Sequence, residues 1–322
     1  MDPAQFLTAS GVIIVAGKGG VGKTAVTAAL AVGASSVGLR TLVIEVEGKA
    51  GMAAMFQSGG LSYDDQVLVH AAAQHAGVTA RTITPDDALL DYLADRGLKR
   101  ISNRLVSTGL LDLVSTAIPG IRDILVLGKV KQIERSGEFD LVLLDAPAAG
   151  HAISFLKSAS GLVDAVKVGP INTQAADVLE LLTDPSRCRV MLVTVPEETP
   201  VNELVETAYS LEDQVGVALG PVVVNGVYPD LPGLTTEPAA AAAEAGITLA
   251  GSDADLLARS SRFRSIRTSL QDAQLDRMAE QLPLDQLHLP FLFTTDLDRD
   301  DLEHLAALLI RRIEDIPDMV ST

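Results

Sequence analysis

Residues 11–27 read GVIIVAGKGGVGKTAVT, with the apolar run Val12 to Val15 passing through Ala16 into Gly17-Lys18-Gly19-Gly20-Val21-Gly22-Lys23-Thr24. An alanine-rich segment of strong helix propensity follows, so the stretch reads as strand, tight loop, helix. The distance from Gly17 to Gly22-Lys23-Thr24 is that of a phosphate-binding loop. Glycines let successive backbone N–H groups point inward, and the helix N-terminus adds the positive end of its dipole. Lys23 is placed to lie along the β- and γ-phosphates, and the Thr24 hydroxyl to ligate the Mg²⁺ that bridges them. Lys18 cannot occupy the same place. It either stays in solvent or reaches a phosphate from elsewhere, such as that of a facing subunit.

The same loop satisfies a rival pattern, because Gly17, Gly19 and Gly22 also make G-x-G-x-x-G, with Glu45 and Glu47 near the place of a ribose-binding acid. Lys23-Thr24 tips the reading toward a Mg-nucleotide, since a dinucleotide fold needs neither residue. The expected nucleotide contacts are therefore Gly17, Gly19, Gly20, Val21, Gly22, Lys23, Thr24 and Ala25, with Asn225 and Pro290 from later strands. ATP and Mg²⁺ are the expected cofactors.

Length and composition set the frame around that loop. The chain has 322 residues, 48% hydrophobic and 21% charged, enough for a large core in an ordinary α/β protein. The reading is a mainly parallel sheet flanked by helices, one phosphate-loop domain over 1–322 with a helical subdomain inserted at roughly 50–136 and 152–186. Forty-two acidic against 25 basic residues give a net charge of −17, which repels nucleic acid and the anionic face of a membrane. Cys188 is the only cysteine, so no disulfide framework or cysteine metal clasp forms within one chain. The first ten residues, MDPAQFLTAS, lack the basic start and apolar core of a signal peptide, and a cytoplasmic protein without membrane insertion is expected.

Further along, Arg40 to Glu47 ends a strand with two acids at i, i+2, and Glu47, followed at once by Gly48, is favoured over Glu45 for a functional role. Residues 50–136 show helical period, with a helix start at Pro85-Asp86-Asp87 and a break at Pro119-Gly120. Phe139 to Asp145 is a second buried strand ending in an acid. Asp145 is expected to hold a water on Mg²⁺, Gly150 to donate an N–H toward the γ-phosphate, and His151 is a weaker candidate in the same turn. Strands follow at Arg189 to Val195, Val217 to Asn225 and Leu287 to Leu292. Helices are expected at Thr199 to Gln214, Asp253 to Gln281 and Asp300 to Ile316. Asn225, at a strand end, has an amide suited to a purine edge.

GKGGVGKT at 17–24, the strand-end acid Glu47, DAPAAGH at 145–151, PEETPVNE at 196–203 and VVVN at 222–225 together resemble the arsenite-pump and tail-anchored-protein-targeting ATPases. These belong to the deviant phosphate-loop class that includes the septum-site and partitioning ATPases. IEVEGK at 44–49 with PGIRDILVLGKVK at 119–131 is most similar to the single-domain branch of actinobacteria. The resemblance implies ATP hydrolysis tied to closure of a homodimer, or of a heterodimer with a paralogous ATPase, serving a protein client or membrane-protein partner. It makes Lys18 the signature lysine that crosses to the partner's nucleotide, Lys23, Glu47 and Asp145 the other catalytic residues, Thr24 and Asp145 the metal-associated pair, and Asn225 the adenine contact. Two departures stand out. Glu47-Gly48-Lys49 replaces the family's usual D-P-A, and neither the zinc-clasp nor the arsenite-binding cysteines are present.

Overall fold

The computed structural model describes residues 1–46, 51–72, 75–98 and 120–317, with 148–151 described by their backbone alone. The chain begins with α1 (Pro3–Thr8), β1 (Val12–Gly17), α2 (Lys23–Ser36), β2 (Thr41–Val46) and α3 (Gly51–Met55). It continues through β3 (Gln66–Val69), β4 (Val78–Ile83), α4 (Pro85–Asp95), α5 (Ile121–Ser136), β5 (Leu141–Ala148), α6 (Ala149–Ala165) and α7 (Pro170–Thr183). Then come β6 (Cys188–Thr194), α8 (Glu198–Val215), β7 (Val222–Val227), α9 (Pro238–Glu244), α10 (Asp253–Gln281), β8 (Gln286–Pro290) and α11 (Arg299–Glu314). The strands form one sheet in the order β3-β4-β2-β5-β1-β6-β7-β8. Among the described residues only β3 runs antiparallel to its neighbour.

The central strands are near-continuous apolar runs because both faces of the sheet are covered. Every residue of β1 and of β2 is buried. Val12, Ile14 and Ala16 face a core shared with α4, α5, α6, α7 and α8, while Ile13 and Val15 face one built with α1, α2, α3 and α11. Side-chain alternation carries this through the sheet: Val43 and Leu143 lie on the α2 side, and so, two residues on, do Glu45 and Asp145. Local chemistry sets the helix ends. Thr84 caps α4 ahead of Pro85, and Asp298 with Asp301 forms a capping box at α11.

The α/β class and the parallel sheet agree with the sequence reading, and α10 spans the residues expected of it. Among the described residues of 50–136, however, where helical period is read, the structure has two strands. In β4, Val78 and Ala80 are fully buried while Thr79 and Arg81 are half-buried, a period of two too short to outweigh its helical surroundings. Strand β3 is an edge with Val67 54% exposed, so its apolar signal is weak. The helical stretch read from Ile101 lies outside the described residues as far as Pro119; from Gly120 onward α5 follows it. Among the described residues no helix is long and apolar enough to cross a membrane.

Candidate functional site

The loop between β1 and α2 sits at the carboxyl end of the sheet, where the chain crosses to β2 on one side and β6, β7 and β8 extend on the other. Two of its glycines are required by geometry. A Cβ on Gly17 would lie 2.2 Å from the Val193 carbonyl oxygen of the neighbouring strand. Gly22, the N-cap of α2, has φ of 91°, and a Cβ there would lie 2.3 Å from Asn225 Nδ2. With those side chains absent, the loop closes tightly over β6 and β7 and leads its backbone into the helix N-terminus. Gly19 and Gly20 are exposed at its tip, while Val21 and Ala25 are buried beneath it.

Lys23, only 8% exposed, folds back so that its Nζ donates to the Lys18 carbonyl oxygen at 3.2 Å. Its own carbonyl accepts from the Thr27 hydroxyl at 2.9 Å, which steadies the first turn of α2. The Thr24 hydroxyl donates to Asp145 Oδ2 at 2.7 Å. Val15 of β1 pairs with Asp145 of β5, so the strand carrying the loop sets the acid's place beneath it.

Beyond Asp145 lies a second buried carboxylate. Glu45 pairs with Asp145 across β2 and β5, both are fully buried, and Glu45 Oε1 accepts the Met52 N–H at 3.3 Å. Gly51, one residue earlier, is close enough to α2 that a Cβ there would sit 3.4 Å from Thr24 Cγ2. Glu47, the acid favoured from the sequence, lies outside the described residues, as does the side chain of His151, and of Gly150 the structure describes only its place in the first turn of α6. Burial of Glu45 is the feature the sequence reading passed over. Its two-residue spacing from Val43 carried the signal, but only the α2 cover makes that face an interior.

Lys18 is held in its own chain: its Nζ lies 2.5 Å from Glu203 Oε1 of α8, with side chains 36% and 42% exposed. Asn225 Nδ2 donates to the Val21 carbonyl at 3.0 Å, bringing the end of β7 onto the phosphate loop. Pro290 is one strand further, paired with Val227 at the end of β8. Cys188 is remote from this chemistry. Burial, reinforced by nearby Glu134, pushes its thiol up to about 12.

Physically the loop suits an anion. It combines backbone N–H groups, a helix N-terminus, a buried lysine and glycine positions that side chains would fill. Beside it, the Thr24 hydroxyl and the Asp145 carboxylate are hard oxygen donors of the kind a small divalent cation takes together with phosphate.

Residues 10–169 match the family model described as Anion-transporting ATPase. Among similar proteins, "ATPase BagA" of Mycobacterium tuberculosis is 34% identical over 231 residues, 67% of this chain and 65% of that protein. An "Arsenical pump-driving ATPase" of Escherichia coli is 27% identical over 234 residues, 66% of this chain and 39% of its own length. "ATPase get3" of Schizosaccharomyces japonicus is 26% identical over 175 residues, 52% of each chain. The match thus spans a little under two thirds of the mycobacterial relative. Through residues 10–169, which carry both the phosphate loop and Asp145, the chain belongs to the anion-transporting ATPase family.

Proposed function

We propose that this chain is a Mg²⁺-dependent ATPase of the deviant phosphate-loop class, coupling ATP binding and hydrolysis to conformational switching of a dimer. The observation that carries the reading is the 2.7 Å hydrogen bond from Thr24 to Asp145 directly below the glycine loop. ATP and Mg²⁺ supply the transferable phosphoryl group and the cation that balances its charge. Gly17, Gly19, Gly20, Val21, Gly22 and Ala25 bind the phosphates through the loop and the first turn of α2, and Lys23 stabilises charge on them. Thr24 and Asp145 hold the cation. Glu47, the next residue in sequence after β2, orients the attacking water, while Asn225 and Pro290 serve the base side.

The pump-driving name of the Escherichia coli relative supports an energising subunit, and the resemblance of the sequence motifs extends the reading to a targeting or chaperone subunit. In that reading it works in the cytoplasm as a homodimer or with a paralogous ATPase, on a protein client or membrane-protein partner, with Lys18 reaching the partner's nucleotide. The domain is one phosphate-loop unit with a helical elaboration drawn from 50–136 and 152–186. A second reading, a nucleotide-binding regulatory subunit with little turnover, draws support from the hold of Glu203 on Lys18 within one chain. Mg²⁺-dependent ATP hydrolysis measured together with molecular mass, with and without the paralogue, separates the two. Turnover that appears in the dimer and is lost with Lys18→Ala supports the first; tight ATP binding without turnover in any state supports the second.

A further inference from the structure

Glu45 is a fully buried carboxylate at a strand position where an apolar residue would pack at no electrostatic cost. It lies on the same sheet face as Asp145, at the paired position of the adjacent strand, and strands in a sheet are about 4.8 Å apart. Two neighbouring carboxylates repel one another, and both sit on the side covered by α2, whose N-terminus carries partial positive charge. Glu45 also accepts the Met52 N–H, while Gly51 abuts Thr24. Glu45, the first turn of α3, Thr24 and Asp145 thus lie together around the cation side of the loop, with the two carboxylates fully buried and Thr24 and Gly51 half-buried.

We propose that Glu45 is a positioning residue for the bound divalent cation, acting by its charge beside Asp145 and by holding α3 against Thr24. The proposal rests on the Mg²⁺-nucleotide reading above. A cation beside Thr24 offsets the charge of both carboxylates, whereas a nucleotide without metal meets both as repulsion. Loss of the Glu45 charge therefore weakens binding in Mg²⁺ and not in its absence, a split that a merely structural role does not produce.

The test is equilibrium binding of a fluorescent ATP analogue with excess Mg²⁺ and again with a chelator. The variants are Glu45→Gln, which keeps an acceptor for Met52, and Glu45→Asp, which keeps the charge. Glu45→Gln should weaken binding about ten-fold or more in Mg²⁺ and leave it unchanged or tighter in chelator. Glu45→Asp should retain most of the Mg²⁺ dependence. Equal losses in both conditions, or Mg²⁺ dependence equal to wild type, overturn the proposal. If Glu45→Gln does not fold, Glu45→Ser, small and neutral, carries the same expectation. Wild type that does not bind the analogue, or binds it equally with and without Mg²⁺, overturns the nucleotide reading itself and this proposal with it.

Discussion

Lys18 of the phosphate loop and Glu203 of α8, 185 positions apart, form an ion pair within one chain at 2.5 Å. Both side chains are more than a third exposed, and a pair of that kind contributes only about 0–1 kcal/mol. A contact so weak is readily exchanged for a better one, such as the phosphates of a nucleotide on a facing subunit. Glu203→Gln should therefore leave the melting temperature nearly unchanged. It should also lower the protein concentration at which ATP produces a dimer. Light scattering against concentration checks this, and a dimerisation curve identical to wild type would refute it.

Lys23 is the buried cation of the loop, and its removal deletes one preorganised charge-stabilising donor. Lys23→Ala should reduce turnover by about 3 kcal/mol in the barrier, roughly a hundred-fold. Steady-state ATP hydrolysis reads the effect, and full turnover by the variant would sink the proposed mechanism.

Gly22→Ala should fail for two reasons that add. The residue has φ of 91°, costing about 1–3 kcal/mol for an L side chain, and the new methyl would meet Asn225 Nδ2. Both stability and ATP binding should fall, because the Asn225 contact with Val21 must be displaced. Thermal melts and nucleotide titration measure the two losses separately.

Acid should weaken the fold partly through Asp140. The side-chain hydrogen bond from Arg40, then the Arg40 backbone N–H and charge working against burial, holds the Asp140 carboxyl below its usual range. A depressed folded value means the contribution is fully present above the unfolded value, about 3.9, and is lost as pH falls through the folded one. Denaturant midpoints followed below about pH 4 should fall less steeply in Asp140→Asn than in wild type.

Cys188 should resist alkylation in the native protein. It is fully buried and its thiol is pushed up to about 12, so almost no thiolate is present at neutral pH. Mass spectrometry after iodoacetamide should find it modified only once the chain is unfolded.

Much of the fold was legible in the chain because its cues are local. The runs Val12 to Val15 and Leu141 to Leu144 announce buried parallel strands, and Pro85, the polar period of 253–281 and the amphipathic period from Asp300 mark helices. Strands β3 and β4 were not legible. QVLV at 66–69 is a half-exposed edge, and the alternation of Val78 and Ala80 acquires meaning only from β2, with which β4 pairs.

At the site the same division holds. The glycine spacing, Lys23, Thr24 and Asp145 are written in the sequence, because each lies at a fixed step along one apolar run and its loop, although β5 runs on to Ala148 and Asp145 lies within the strand where the sequence placed the strand's end. Three relationships were decided by tertiary structure: Lys18 against Glu203, Asn225 against Val21, and Glu45 buried beside Asp145. Each joins segments distant in sequence, and whether a strand-end acid faces water or a helix depends on what packs over it. Sequence period states which side of the strand Glu45 takes; only the packed α2 and α3 make that side an interior.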